Sequence, residues 1–273
     1  MKIQYNKFVP YYGNKTTETP VIFKYVNDTK TFVDVFGGSG SVGVCYKELN
    51  PKTKVIYNDN NERVYRLINI FRNRLVYDEI EKWNDYGKIR KKQFDTEEEC
   101  KEDFYNLFNS IESDDMKLVV MCLYSTYCSY VLSDDKRQFI VHYKNLKGKW
   151  GVERRVIHHD NYYETYNKLE EICNLDYKSI LKKYKNNKSA TLYLDPPYLP
   201  KKVSYGNGFN DKDLDYIIEY MKDCKCKVIL NPNYNDYYKN KIETNNHLVL
   251  KEIYDKQYRA RGKNKDKHCI ISN

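Results

Sequence analysis

The sequence lacks an apolar run long enough to cross a membrane. A spanning helix needs ~20 consecutive, mainly apolar residues, and the longest stretch here, residues 118–132, is interrupted by Ser125, Thr126 and Ser129. Residues 1–6 also lack the apolar segment of a secretory signal. We therefore expect no membrane association and a cytoplasmic protein.

The spacing typical of metal sites and disulfide frameworks is also absent. The chain has eight cysteines but no C-x-x-C pair, and its five histidines do not complete a tetrahedral set. At 273 residues it can bury a core without disulfides. We expect reduced, buried thiols and no metal.

Acidic residues are fewer than basic ones. The sequence has 38 acidic residues against 47 basic ones, which gives a net charge of +9. Such an excess favours an anionic partner such as nucleic acid, although heavy lysine use in an AT-rich genome would also produce it. The distribution is therefore more informative, and residues 136–155 hold seven Lys or Arg against one acid. A run of this kind is often only a solvated face.

Strand and helix patterns alternate at both ends of the chain. The predicted strands are residues 31–36, 55–57, 191–194, 227–230, 247–253 and 268–272, and the predicted helices are 41–49, 62–75 and 211–222. Residues 78–132 between them have a charged helical pattern. This order predicts a doubly wound α/β sheet interrupted by an inserted, mainly helical domain.

A glycine-rich turn follows the first predicted strand. Residues 34–43 read D-V-F-G-G-S-G-S-V-G, which satisfies G-x-G-x-x-G. Such a turn brings a ligand close to backbone N–H groups at a helix N-terminus, and Asp59 lies where a ribose-binding acid belongs. The motif does not separate NAD from another adenosine-bearing cofactor, so a dehydrogenase remains a rival.

A second motif, Asp195-Pro196-Pro197-Tyr198, follows the predicted strand 191–194. Two prolines at a strand end remove N–H donors and leave carbonyl oxygens free to accept hydrogen bonds. An exocyclic amino group needs acceptors for its two hydrogens and a ring on which its base can stack. A simple Pro-Pro strand terminator leaves the flanking acid and aromatic unexplained, and a dehydrogenase has no need of them.

Read together, these motifs resemble the Dam-like (D12 class) DNA adenine-N6 methyltransferase family. Its motifs aromatic-x-G-G-K, D/E-P-F-x-G-x-G-S and N-D-x-N, and its short acidic motif after the insert, are similar to residues 11–15, 34–41, 58–61 and 159–162. The family's basic DNA-reading segment ends in N-V-P-[YF]-G, whereas residues 137–151 contain no proline. Recognition of the family's common GATC site is therefore in doubt.

The resemblance implies a Rossmann-like methyltransferase fold, with catalytic segments at 1–75 and 153–273 around a target-recognition domain at 76–152. It implies methyl transfer from S-adenosylmethionine to N6 of a flipped-out adenine in double-stranded DNA. The implied catalytic residues are Asp195, Pro196, Pro197 and Tyr198. The implied cofactor-binding residues are Tyr11, Lys15, Asp34, Phe36, Gly37, Gly38, Ser39, Gly40, Ser41, Asp59, Asp160 and Asn161. The expected DNA-binding residues are Lys136, Arg137, Lys144, Lys147, Lys149 and Tyr205.

Other interpretations stay open at this level. They are an N4-cytosine or RNA amino-methyltransferase, a catalytically silent nucleic-acid-binding relative, and a dinucleotide oxidoreductase. Asp195 favours adenine, because the family's cytosine enzymes more often carry S-P-P-Y. For single residues, Asp34 could pair with a lysine and Asp160 could cap a turn. We expect a monomer or weak dimer, with a cognate restriction endonuclease as a candidate partner.

Overall fold

A computed structural model describes residues 8–9, 11, 13–26, 28–73, 83, 94–124, 143–146, 149–152, 159–199, 208–256 and 266–273. The chain divides into two compact units. The first, which we call the helical unit, comprises Met1–Asn14 and Asn61–Asn167, and the second, the sheet unit, comprises Lys15–Asn60 and Lys168–Asn273. The predicted insert 76–152 lies within the helical unit, and its role in DNA recognition stays a prediction.

The strands are β1 (Thr31–Asp34), β2 (Lys54–Asn58), β3 (Tyr143–Leu146), β4 (Lys149–Val152), β5 (Glu171–Cys173), β6 (Ala190–Leu194), β7 (Lys227–Leu230), β8 (Val249–Lys256) and β9 (Asp266–Ser272). The helices are α1 (Thr19–Phe23), α2 (Ser41–Leu49), α3 (Glu62–Phe71), α4 (Glu97–Asn109), α5 (Asp114–Tyr124), α6 (His159–Tyr166), α7 (Tyr177–Tyr184), α8 (Asp211–Asp223) and α9 (Asp236–Glu243). No helix of the described ranges is both long and apolar enough to span a bilayer.

The sheet unit is built on seven strands in the order β5-β2-β1-β6-β7-β9-β8. The pairs β1–β2, β1–β6, β2–β5 and β6–β7 are parallel, whereas β9 is antiparallel to both β7 and β8. From β1 the chain moves outward to β2 and β5 on one side, and from β6 to β7 on the other. The order therefore reverses between β1 and β6, where an open parallel sheet forms a ligand crevice at the carboxyl ends of its strands.

Helices cover both faces of the sheet. Phe32 of β1 stacks on Tyr46 of α2 with ring centroids 4.2 Å apart. The next residue, Val33, points to the opposite face and belongs to a buried cluster with Ile180 of α7 and Leu214 of α8. Burial on both faces explains the nearly continuous apolar character of β1 and β6. The predicted doubly wound α/β sheet is confirmed.

Asn58, at the carboxyl end of β2, joins three segments of this edge. Its Nδ2 donates to the carbonyl oxygens of Val35 and Leu175, each at 3.0 Å, and its Oδ1 accepts from the Leu175 N–H. The side chain is fully buried. Asn58 therefore fixes the turn after β1 against the loop after β5.

The helical unit has its own apolar contacts. Its helix α3 buries Val64, Leu67, Ile68 and Phe71, the spacing that predicted an amphipathic helix here, although the helix ends at residue 71 rather than 75. Phe104 of α4 is also buried and contacts other aromatic rings of this unit. Strands β3 and β4 form an antiparallel hairpin within the basic segment 136–155, which sequence analysis left without secondary structure.

Candidate active site

The turn between β1 and α2 depends on glycine. Gly38 and Gly40 have positive φ values of 50° and 72°, a conformation that other residues adopt only at a cost. The Gly40 N–H donates to the Gly37 carbonyl at 2.8 Å, which closes the turn directly before α2 begins. The first predicted motif thus forms the strand–turn–helix geometry that its sequence indicated.

Tyr57 of β2 shapes the same turn. Its hydroxyl donates to the Gly38 carbonyl at 2.9 Å, and its ring lies so close to Gly37 that an added Cβ would overlap it. Tyr57 is fully buried. Sequence analysis identified the glycines but missed this tyrosine, because nothing in the strand pattern of residues 55–57 marks one residue as a support for the turn.

Two predicted acids also bind the turn and its helix through backbone amides. The Gly38 N–H donates to Asp59 Oδ2 at 2.8 Å, and the Gly43 N–H donates to Asp34 Oδ2 at 2.9 Å. Burial raises the pKa of Asp34 to about 7, and the nearby charges of Asp195 and Asp59 also raise it, although the hydrogen bond from Gly43 opposes this. The edge therefore concentrates negative charge.

The carboxyl end of β6 carries Asp195, which is bound to Lys15. The Lys15 Nζ lies 2.9 Å from Asp195 Oδ1 and 2.8 Å from Oδ2, and it also donates to the Tyr198 hydroxyl. Lys15 is only 2% exposed, whereas the Asp195 side chain keeps 14% exposure and remains accessible. The Lys15 N–H lies 3.4 Å from Ser41 Oγ, so one residue connects the two predicted motifs.

Charge compensation keeps this buried lysine protonated. Burial alone would lower the pKa of Lys15. The attraction of Asp195 and Glu18 outweighs that effect and raises the pKa above its ordinary value. Sequence analysis assigned Lys15 to the cofactor and Asp195 to catalysis, and the structure brings them into direct contact.

A further group of buried polar side chains lies beside Lys15 and was missed from the sequence. Glu18 Oε1 lies 3.0 Å from Lys256 Nζ, and Glu18 Oε2 lies 3.2 Å from His268 Nδ1 and accepts a 2.9 Å hydrogen bond from the Tyr254 hydroxyl. We call these four residues the Glu18 cluster. No local spacing in the sequence marks any of the four as part of a site.

Other predicted residues lie elsewhere in the chain. Phe36 packs against Tyr177 and Phe209, with ring centroids 5.4 and 6.1 Å apart, while Ser39 and Ser41 are buried within the turn region. Tyr11 belongs to the helical unit. Asp160 and Asn161 lie in α6 and Lys144 in β3, but their side chains are outside the described part of the structure. Residues outside the description altogether are Lys136, Arg137, Lys147 and Tyr205.

Lys149 of β4 is the predicted DNA-binding lysine whose side chain the structure describes. It forms an ion pair with Asp95. A phosphate contact by Lys149 would therefore have to replace that pair.

The cysteines of the described ranges are free thiols, of which Cys45, Cys100, Cys122, Cys226 and Cys269 are buried, while Cys173 and Cys224 are only half-buried. The same ranges contain no group of three or more His, Cys, Asp or Glu side chains arranged to hold a metal ion.

The close fit of Tyr57 against the turn gives a first prediction. Gly37→Ala should lower the free energy of unfolding by about 1–3 kcal/mol, because the new methyl group overpacks the buried Tyr57 ring. Urea denaturation measures the change. Gly43→Ala is the control, since its Cβ would lie 3.4 Å from its neighbours and alanine favours the helix. Equal stability of wild type and Gly37→Ala would contradict the described packing.

Comparison with known proteins identifies the family of this chain. The family model for the D12 class N6 adenine-specific DNA methyltransferases matches residues 11–264. A Haemophilus influenzae protein described as "Putative methyltransferase" is 30% identical over 173 residues, which cover 62% of this chain and 53% of that protein. The chain thus spans about half the length of this relative.

A solved structure gives a weaker likeness. Precorrin-6y C5,15-methyltransferase from Geobacter metallireducens GS-15 has a TM-score of 0.42 and 9% identity, over 99% of this chain and 95% of that one. At this TM-score the likeness adds nothing to the assignment. The family match, in contrast, spans the glycine turn, Asp195-Pro196-Pro197-Tyr198 and the segment between them, and the chain belongs to the D12 class N6 adenine-specific DNA methyltransferase family.

Proposed function

We propose that the protein transfers a methyl group from S-adenosylmethionine to the N6 amino group of a flipped-out adenine in double-stranded DNA. The observation that carries this proposal is the position of Asp195 and Tyr198 beside the glycine turn, at the reversal of strand order between β1 and β6. Membership of the D12 class supports the reaction and the substrate class. A cognate endonuclease and a monomeric or weakly dimeric state stay predictions.

The charges at the sheet edge favour a cationic cofactor over an anionic one. A dinucleotide would place its pyrophosphate against the amides of the turn, but the Gly38 N–H already donates to Asp59 and the Gly43 N–H to Asp34. A diphosphate would therefore meet carboxylates at these two amides, whereas a ligand with an ammonium group would find hydrogen-bond acceptors there. This argues against the dehydrogenase alternative.

Asp34, Asp59 and the turn from Phe36 to Ser41 are the residues of the sheet unit that would hold the cofactor. S-adenosylmethionine supplies a methyl group already activated by its sulfonium. The chain itself then has to orient the acceptor nitrogen and keep other acceptors away from the methyl group. Contacts by Tyr11, Asp160 and Asn161 are part of the proposal and rest on the family pattern.

Asp195 can serve Lys15 and a substrate together. A carboxylate offers about four lone-pair sites, and Lys15 occupies one on each oxygen. The remaining sites can accept a hydrogen of the adenine amino group, with the Pro196 carbonyl as a second acceptor. These bonds would favour a pyramidal, more nucleophilic nitrogen and stabilise the positive charge that develops on it. Tyr198 would stack on the base.

Duplex DNA must be opened before this chemistry can occur. Flipping a base costs a few kcal/mol of unstacking, and phosphate contacts must supply the compensating affinity. We assign these contacts to Lys136, Arg137, Lys144, Lys147, Lys149 and Tyr205, on the sequence pattern. The hairpin of β3 and β4 lies within the basic segment 136–155.

The raised pKa of Asp34 gives a test of cofactor binding. At pH 7 a carboxyl with a pKa of about 7 is half protonated, and a bound cation stabilises its charged form. S-adenosylmethionine should therefore bind with release of a fraction of a proton, seen by calorimetry as an enthalpy that depends on the buffer. Asp34→Asn should bind without this release.

NAD provides the matched comparison in the same experiment. It should give no binding heat, because the edge presents carboxylates to its pyrophosphate. Binding of NAD without any response to S-adenosylmethionine or its demethylated product would contradict the proposed cofactor.

Asp195→Asn tests the proposed catalytic acceptor. Lys15 would hold the single amide oxygen, which turns the NH₂ donors toward the substrate amine, so single-turnover methyl transfer should fall by about 100-fold or more. Cofactor affinity should stay within about threefold of wild type, because the glycine turn is unchanged. Asp176→Asn, at the N-terminus of α7, is the control. Near-wild-type turnover of Asp195→Asn would refute the role.

The proposed DNA reader divides into two expected behaviours. Lys147→Ala should weaken binding to all sequences and lower the salt slope by about one, as expected for a phosphate contact. Arg137→Ala should instead relax the choice of base at one position, with about 1–3 kcal/mol of lost discrimination. Methylation of a random-site library at two salt concentrations measures both. Unchanged preference and slope in both variants would place the reader elsewhere, with residues 200–210 as the next candidate.

A further inference from the structure

The Glu18 cluster is a buried charge network that the proposed reaction does not use directly. Glu18, Lys256 and His268 are 3%, 5% and 0% exposed. Removing charged groups from water costs several kcal/mol for each ion unless partners compensate for it. A chain that buries these groups beside its catalytic carboxylate therefore places strong constraints on where each charge can lie.

Together with Lys15 and Asp195, the charged residues of the Glu18 cluster form two ion pairs. Lys15 pairs with Asp195, and Lys256 pairs with Glu18. Burial lowers the pKa of His268, and the positive charges of Lys15 and Lys256 lower it further, although Glu18 opposes them. The ring is therefore neutral near pH 7, and two ammonium groups balance two carboxylates.

The two pairs are close enough to influence each other. Glu18 attracts the Lys15 ammonium. Burial and the charge of Lys15 lower the pKa of Lys256, and Glu18 and Asp195 oppose this. Lys15 and Glu18 are also one turn apart at the start of α1, since the Glu18 N–H donates to the Lys15 carbonyl at 2.8 Å. Without the carboxylate of Glu18, the Lys256 ammonium would lose its counterion and compete with Lys15 for Asp195.

The cluster also reaches the aromatic ring of the proposed site. The rings of His268 and Tyr198 are 5.3 Å apart and nearly perpendicular. The Tyr254 hydroxyl, which donates to Glu18, also accepts a 2.9 Å hydrogen bond from Asn231 Nδ2. Asn231 follows β7 directly, so hydrogen bonds fix the Glu18 carboxylate to the central sheet.

We propose that Glu18 is a positioning residue for methyl transfer: by holding Lys256, it leaves Lys15 alone to orient Asp195 and Tyr198. This role rests on the proposed methyltransferase function. Glu18 is not among the residues assigned to the glycine turn or to the substrate. It acts by keeping Lys256 paired with its own carboxylate, so that Lys15 alone pairs with Asp195. His268 and Tyr254 stabilise this arrangement.

Glu18→Gln tests the proposal in the full-length protein. The variant keeps the shape but loses the charge, so kcat for methyl transfer should fall by about tenfold or more while S-adenosylmethionine affinity stays within about threefold. Burial and the charge of Lys15 lower the pKa of Lys256, and Glu18 opposes this, so the pKa of Lys256 falls further in Glu18→Gln. The lost kcat should therefore partly recover at alkaline pH, where Lys256 becomes neutral and no longer competes with Lys15, which a purely structural role would not cause.

Glu252→Gln is a close chemical control. Glu252 also accepts a hydrogen bond from a tyrosine, Tyr25 at 2.8 Å, and pairs with a lysine, Lys24 at 3.3 Å, but this pair is exposed. The variant should retain wild-type kcat and pH profile. Tyr254→Phe removes one hydrogen bond to Glu18 without a change of charge and should give a smaller loss of kcat. It replaces Glu18→Gln in the test if that variant does not fold.

A substrate-free measurement separates this proposal from the methyltransferase function. The Lys256 Nζ resonance, identified by its loss in Lys256→Met, should titrate at lower pH in Glu18→Gln than in wild type. An unshifted Lys256 titration, or unchanged kcat and pH profile in both Glu18→Gln and Tyr254→Phe of an active protein, would overturn the positioning role. A wild-type protein that transfers no methyl group to DNA would overturn the proposed function instead.

Discussion

The buried ion pair between Lys15 and Asp195 is the interaction on which the rest of the site depends. The two residues are 180 positions apart, yet a lysine that is 2% exposed must have a carboxylate within reach. Lys15 lies in the segment before α1, and Asp195 directly follows β6, the neighbour of β1 in the sheet. The fold and the site therefore depend on each other, because misplaced strands would leave a charge buried without compensation.

The acids beside this pair set what the edge can bind. Asp34 and Asp59 use backbone amides of the turn and of α2, the donors that would otherwise serve a phosphate. Carboxylates thus occupy two of the backbone amides around the glycine pattern that suggests a dinucleotide site in the sequence.

Local pattern was sufficient for much of the fold. Buried parallel strands such as β1 and β6 are apolar runs, and α3 has clear helical spacing, so the sheet and the family could be predicted. The edge strand β5 has three half-buried residues and no periodicity, and it was missed. Glu18 and Tyr57 were missed for another reason: their roles arise from contacts with residues distant in sequence, which no local pattern encodes. The division into functional domains and the DNA-reading side chains remain predictions.

The most direct test of the account is to express the protein in a host that lacks DNA methylation and to identify the modified bases by sequencing. The account predicts N6-methyladenine at one short, defined sequence, and no such mark when the same host carries Asp195→Asn. N4-methylcytosine, or unmodified DNA from cells that hold folded protein able to bind S-adenosylmethionine, would contradict the assignment of Asp195 to the adenine amino group.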